Sequence, residues 1–274
     1  MAVADLLVII TGVILNRVIG IYVPVSALSV TPACRLKTVL VFAFRNFSVW
    51  STVAFTFDRF IAICCQKLKR TYCTEKTAAV VIGTVFVLSM CDNVPWYFML
   101  EPLYFVNTIP MFCSIKSSFY TRAAWIAYSW IHHILTPCLA FVLIVLFNVL
   151  TVRHILVSSR VRQALRGNNT AQDNIDPELE NRKKSIILLF SISGSFLVLW
   201  GTYTIHHLYS RITSNYVFTG PSDPVFIFQE SGHMLLLLSC CTNTCIYVVT
   251  QKQFRKDLKI VVKYPLTLIG KFIK

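Results

Sequence analysis

The stretch CRLKTVLVFAFRNFSVWSTVAFTFDRF, residues 34–60, decides the fold. It opens on Cys34, carries Arg45 inside an apolar run, and closes on Asp58-Arg59-Phe60. Cys34 precedes Asp58 by about 24 residues. As α-helix at 1.5 Å per residue this is about 36 Å, enough to pass from one face of a bilayer to the other. An ion pair at the far boundary costs little there and leaves Arg59 free to change partners.

Outward from this span, taken as 36–65, the same character persists. The 274 residues are 55% hydrophobic and 14% charged, with a mean hydropathy of +0.64, whereas a soluble domain carries about a quarter charged residues. Stretches long enough for spanning helices read at 1–23, 36–65, 77–100, 123–152, 185–210 and 225–250. Segments of about 10 residues alternating in polarity, the mark of a membrane barrel, are absent. The expected fold is an all-α membrane protein: one helical bundle over 1–250 without internal repeats, then a tail over 251–274. In that tail Phe254, Leu258, Val261 and Val262 recur at helical spacing opposite Lys252, Arg255, Lys256 and Lys259, which suits an amphipathic helix on the inner leaflet.

The net charge of +14 raises nucleic acid as a partner, and the placement of the charge removes it. Lys67, Lys69, Arg70 and Lys76 follow the second span. Arg153, Arg160, Arg162, Arg166, Arg182, Lys183 and Lys184 follow the fourth, and Lys252, Arg255, Lys256, Lys259, Lys263, Lys271 and Lys274 the last. The opposite side holds only Arg17, Arg35, Lys37, Lys116, Arg122 and Arg211, so the rich side is cytoplasmic. Residues 158–184 read as a flexible cytoplasmic loop, and the sequons at Asn168 (cytosolic) and Asn46 (inside a span) carry no weight. Most of the ten cysteines fall in spans or on the reducing side. Cys34 and Cys113 face the oxidising side and could bridge.

From these residues the chain resembles the class A, rhodopsin-like G-protein-coupled receptors, whose third helix starts with a disulfide cysteine and ends in Asp-Arg-Tyr, here with Phe60 for tyrosine. Asp5 matches the second-helix aspartate, Pro137 the fifth-helix proline and Trp200 the sixth-helix toggle tryptophan. Asn243-Thr244-Cys245-Ile246-Tyr247 is similar to the seventh-helix Asn-Pro-x-x-Tyr. The likeness runs from the second helix onward, which implies a rhodopsin-like bundle with six of seven helices present and the first absent upstream of Met1. More loosely, Pro95-Trp96-Tyr97, Trp130-Ile131-His132 and Leu165-Arg166-Gly167 resemble the orphan subfamily around probable G-protein coupled receptor 139.

The resemblance implies a plasma-membrane receptor that takes an extracellular small molecule or peptide and activates a heterotrimeric G protein. Asp58, Arg59, Phe60, Trp200, Asn243 and Tyr247 would form its activation switch. It further implies a sodium pocket lined by Asp5, Ser48, Ser239 and Asn243, chemically sensible because an isolated carboxylate in a span is costly and a hard cation keeps it ionised. A hydrogen-bonded or protonated Asp5 is the plainer alternative.

Arg45 lies about 21 Å of helix above Arg59, and Glu230 about 26 Å above Tyr247. Both are in the outer half, where they are expected to meet, either as the polar end of a ligand pocket or as a plain salt bridge. Trp130, His133, Trp200, His207 and Phe228 would supply the aromatic lining. Such a pocket suits an aromatic amino acid or small peptide, the ligand class proposed for the resembled subfamily. Val41 stands where amine receptors carry aspartate, which disfavours an aminergic ligand.

Departures from the family pattern are specific. Thr202 replaces the sixth-helix proline, so the kink expected there weakens. Val145 replaces a fifth-helix tyrosine, and Arg182 an acid that elsewhere holds the Asp-Arg-Tyr arginine, leaving Glu180 or, more safely, Asp58 to pair Arg59. Trp96 is near the outer end rather than mid-span, and Gln66-Lys67 replace a Pro-Leu pair that contacts the G protein. Competing readings are weaker. The adjacent pairs His132-His133 and His206-His207 point to different helix faces, unlike metal ligands at i and i+4, so no enzyme is expected. A six-span channel or transporter lacks the arginine-rich span or the matched halves. A truncated, nonfunctional receptor is the remaining alternative.

Overall fold

The computed structural model describes residues 1–23, 26–165, 177–213, 220–250, 254–256 and 259–261, with side chains described for all but 21, 159, 161–165 and 177–184. The Asn168 sequon, the side chains of Arg162, Arg166, Glu180 and Arg182, and the tail positions Lys252, Leu258 and Val262 lie outside it.

The first apolar stretch is helical from Ala2 to Tyr22 but not uniform. α1 (Ala2–Val8) passes into a π-helical segment, Ile9–Val18, then α2 (Ile19–Tyr22). Inside it the Thr11 hydroxyl donates to the Leu7 carbonyl at 2.7 Å, the kind of side-chain competition that bends helices. α3 (Thr31–Cys64) starts with a proline in its first turn, where a missing N–H costs nothing. Next come the short α4 (Gln66–Tyr72) and α5 (Glu75–Asn93). Thr74 caps α5, its Oγ1 accepting from the Thr77 amide at 3.2 Å.

The connection after α5 forms strands where the sequence showed only a loop. β1 (Leu100–Glu101) pairs with β4 (Ser114–Ile115), and inside them β2 (Tyr104–Val106) pairs with β3 (Ile109–Met111), both antiparallel. Asn107 and Thr108, at φ of 47° and 68°, turn the inner hairpin. The Cys34–Cys113 disulfide, with Cα atoms 6.0 Å apart, pins this hairpin to the head of α3. α6 (Ser118–Thr121) leads to α7 (Ala123–His133), a π-helical turn Ile134–Leu139, and α8 (Ala140–Leu165). Pro137 sits in that π turn, where the wider ladder accommodates its ring and lost N–H.

α9 (Pro177–Thr213) and α10 (Pro224–Thr250) complete the bundle. α9 is α-helical through Trp200 and Thr202. Among the described residues five helices, Thr31–Cys64, Glu75–Tyr97, Ala123–Ser158, Ser185–Thr213 and Pro224–Thr250, are long and apolar enough to cross a membrane. The stretch expected to span at 1–23 is helical from Ala2 to Tyr22 and is not among these five. The most apolar window of α3 is 56% buried and that of α5 only 11%, which makes α3 the central post. Val49, Ala140, Ile144, Phe196, Trp200 and Leu236 form the core. α10 comes so close to α9 that a Cβ on Gly232 would lie 3.0 Å from the Tyr203 Cα, so any larger residue there would require the α9 backbone to give by a few tenths of an ångström.

Candidate functional site

Three polar sites line up along α3. At its inner end Asp58 and Arg59 are paired at 2.8 Å, with the Arg59 guanidinium 5.4 Å from the Phe55 ring. Both line a cavity of about 1390 Å³ that also takes in Met1, Lys67, Lys69, Arg70 and Tyr247. Tyr247 donates to the Met1 sulfur at 3.2 Å and meets Phe55 edge-on. Phe60 points elsewhere, stacking on Phe147 of α8 at 5.7 Å. In the following loop, burial and the neighbouring Asp58 carboxylate hold the Cys73 thiol above its usual range. Beyond α10, Phe254 packs on Tyr247, and Arg255 donates to the Val248 and Val249 carbonyls at 3.0 and 2.9 Å, capping the helix's C-terminal end.

Half-way up, Asp5 is 2% exposed, and both its oxygens accept hydrogen bonds, Oδ1 from Ser48 at 2.7 Å and Oδ2 from Asn243 at 3.1 Å. A helix turn before Asn243, Ser239 is equally buried. Asn243 Oδ1 is buried without a hydrogen-bond partner.

At the outer end a cavity of about 300 Å³ lies between α3, α7, α9 and α10 under the hairpin loop. Trp200, in contact with Phe196 and Tyr203, forms part of its wall. The Arg45 guanidinium stands 6.0 Å from the Phe42 ring and 5.9 Å from the Tyr203 ring, and its Nε has no acceptor. His133 Nε2 and His207 Nδ1 approach to 3.3 Å across the cavity wall. Beside them Asp92 accepts from Asn46 at 3.0 Å and lies 3.5 Å from His132 Nε2.

Residues 1–247 match the family model described as 7 transmembrane receptor (rhodopsin family). The chain belongs to that receptor family. It is a multi-pass membrane protein with a receptor's signalling role, in a family that is generally not enzymatic.

The structure of the receptor brings together Arg45, His133, Trp200 and His207 at the outer cavity and leaves out Val41, Trp130, Phe228 and Glu230. The expected meeting of Arg45 with Glu230 does not occur. Glu230 pairs with Arg17 at 2.6 Å, because α10 turns Gln229 rather than Glu230 to the cavity and presents Glu230 to the first helical stretch. Phe228 packs on His206 at 5.7 Å. Val41 is buried, but α3 lines the cavity with Phe42, Arg45 and Asn46, which share a face at spacings of three and four.

Of the lining residues not foreseen, Tyr203 had a usable signal: it is three residues after Trp200 and four before His207, hence on one helical face with both. Phe119 and Ile115 had none, since the loop that carries them gains its path from the disulfide and the hairpin. The adjacent histidines were expected to point to different faces, but His132, His133, His206 and His207 all line this cavity, with His133 and His207 in contact. Among the described residues no group of three or more His, Cys, Asp or Glu side chains is placed to hold a metal.

Proposed function

We propose that the receptor recognises a small extracellular ligand with an aromatic body and a carboxylate, an aromatic amino acid or short peptide, and passes the event to a heterotrimeric G protein. The observation that carries this reading is Arg45: a guanidinium in the wall of an outer cavity, faced by aromatic rings, with no carboxylate against it among the described residues. A ligand carboxylate would take up its free donors in bidentate fashion. Phe42, Trp96, Tyr203 and Phe119 would bury the ring.

The remaining sites supply a two-state relay. A ligand that fits one bundle arrangement better than another shifts the population toward it. Trp200 touches both the cavity and the core that contains Phe196, so its packing would change with occupancy. Asp5, tied to Ser48 of α3 and Asn243 of α10, would be the next joint. Separation of Arg59 from Asp58 would then widen the inner cavity for the G protein, with Lys67, Lys69 and Arg70 on its rim.

The Asp5 joint also suits a sodium ion. The unpaired Asn243 Oδ1, the Asp5 carboxylate and the Ser48 hydroxyl are hard oxygen donors of the type such a cation takes. When bound, it would offset the buried charge of Asp5 and favour the closed arrangement. The pocket's aromatic and cationic make-up also fits the orphan subfamily around probable G-protein coupled receptor 139.

The test is second-messenger output from cells expressing the chain, with L-tryptophan, L-phenylalanine and their carboxamides as probes. The acids should act and the amides fail, and Arg45→Gln at equal surface expression should erase the distinction. Unchanged potency of the acids on Arg45→Gln would remove the carboxylate reading.

A further inference from the structure

The membrane-facing side of the α8–α9 junction holds a groove of about 530 Å³ that the receptor mechanism above does not use. Its wall is apolar, with Val149 58%, Leu156 54% and Phe190 37% exposed. Asn148 interrupts that wall. It is 9% exposed, and its Oδ1 accepts no hydrogen bond. At the inner end stand Arg153 and Arg160, both exposed and without a carboxylate against them among the described residues.

We infer that this groove binds one anionic phospholipid of the inner leaflet, its headgroup phosphate between Arg153 and Arg160 and an acyl chain along Val149 and Phe190. Depth favours a lipid over a protein partner. The groove's apolar part belongs to the spans Ala123–Ser158 and Ser185–Thr213, where only hydrocarbon chains and other spans reach, while Arg153 lies in the last two turns of the first and Arg160 just past its inner end. Along α8 Arg160 and Arg153 are about 10 Å apart in helix rise, with Leu156 and Val157 between them, and the apolar wall continues above Arg153 through Val152, Val149 and Val145. The basic pair selects for negative charge, as juxtamembrane arginines do near anionic leaflets. Through α9, and through α8 by way of the π turn and α7 that precede it, such a lipid would bear on helices that border the outer cavity at their other ends.

The experiment uses the full chain, without receptor ligand, in phosphatidylcholine nanodiscs doped with a photoactivatable phosphatidylserine or, separately, a photoactivatable phosphatidylcholine. Phosphatidylserine should crosslink to α8 and α9 peptides well above phosphatidylcholine. Arg153→Gln with Arg160→Gln should lower that crosslinking, by about fivefold per arginine. Val149→Trp fills the groove without touching charge and should lower it too, while Lys67→Gln with Lys69→Gln should leave it unchanged. Equal crosslinking by the two lipids overturns the inference. So does full crosslinking in Val149→Trp, which would reduce the arginines to a general surface attraction. Because no agonist is present, failure here is distinct from failure of the ligand reading.

Discussion

Arg45, Glu230 and Arg17 show what a single residue's position along a helix does and does not determine. Helical rise places all three in the outer half of the bundle, but which side chains meet depends on the rotation of each helix, which sequence spacing leaves open. The ion pair is Arg17–Glu230, with side chains 42% and 28% exposed, so its coupling should be modest, about 0.5–1 kcal/mol. A double-mutant cycle of Arg17→Gln and Glu230→Gln, read by thermal unfolding, should be non-additive by about that amount, and a cycle of Arg45→Gln with Glu230→Gln additive. The reverse pattern would restore the discarded pairing. Asp5 differs, because its need for partners was legible from residue type: a carboxylate in a span needs them, and Ser48 and Asn243 supply them. If a sodium ion joins them, replacing sodium by N-methylglucamine at constant ionic strength should lower the unfolding temperature of the wild-type chain and leave Asp5→Asn unaffected. Equal sodium sensitivity in both would remove the cation from the site.

Among the elements, α3 was readable in full because its ends are marked by chemistry, Cys34 at one and Asp58-Arg59 at the other. The first stretch was readable as helical but its π segment was not, since nothing in the apolar pattern reports ladder spacing. The hairpin over the outer cavity was hidden for another reason. Its strands are two or three residues long, too short for alternation to register. The α9–α10 contact turns on Gly232, which sits between Ser231 and His233 with no local pattern to mark a close approach. Gly232→Ala should force the Tyr203 backbone away, at a cost of about 1–3 kcal/mol. A lowered unfolding temperature would be the readout, and because Tyr203 lines the outer cavity, agonist potency should fall in the same variant. Wild-type stability in Gly232→Ala would mean the helices are less closely packed than described.

At the scale of the whole molecule, one helix connects everything that matters: α3 carries the disulfide, Arg45, Ser48 and the Asp58–Arg59 pair from the outer loop to the inner cavity. The loop it anchors supplies Ile115 and Phe119 to the outer cavity. Cys113→Ser should therefore cost about 2–4 kcal/mol in stability and weaken agonist response together, whereas stability loss with unchanged potency at matched expression would separate the loop from the ligand. All of this presupposes that the two ends of α3 face opposite sides of a membrane. Introduced cysteines decide the matter: Asn107→Cys at the hairpin turn and Lys69→Cys in α4, each treated in intact cells with a membrane-impermeant maleimide against the unsubstituted chain. Asn107→Cys should label at once and Lys69→Cys only after permeabilisation. Labelling of Lys69→Cys in intact cells, with Asn107→Cys protected, would contradict the receptor account at its root.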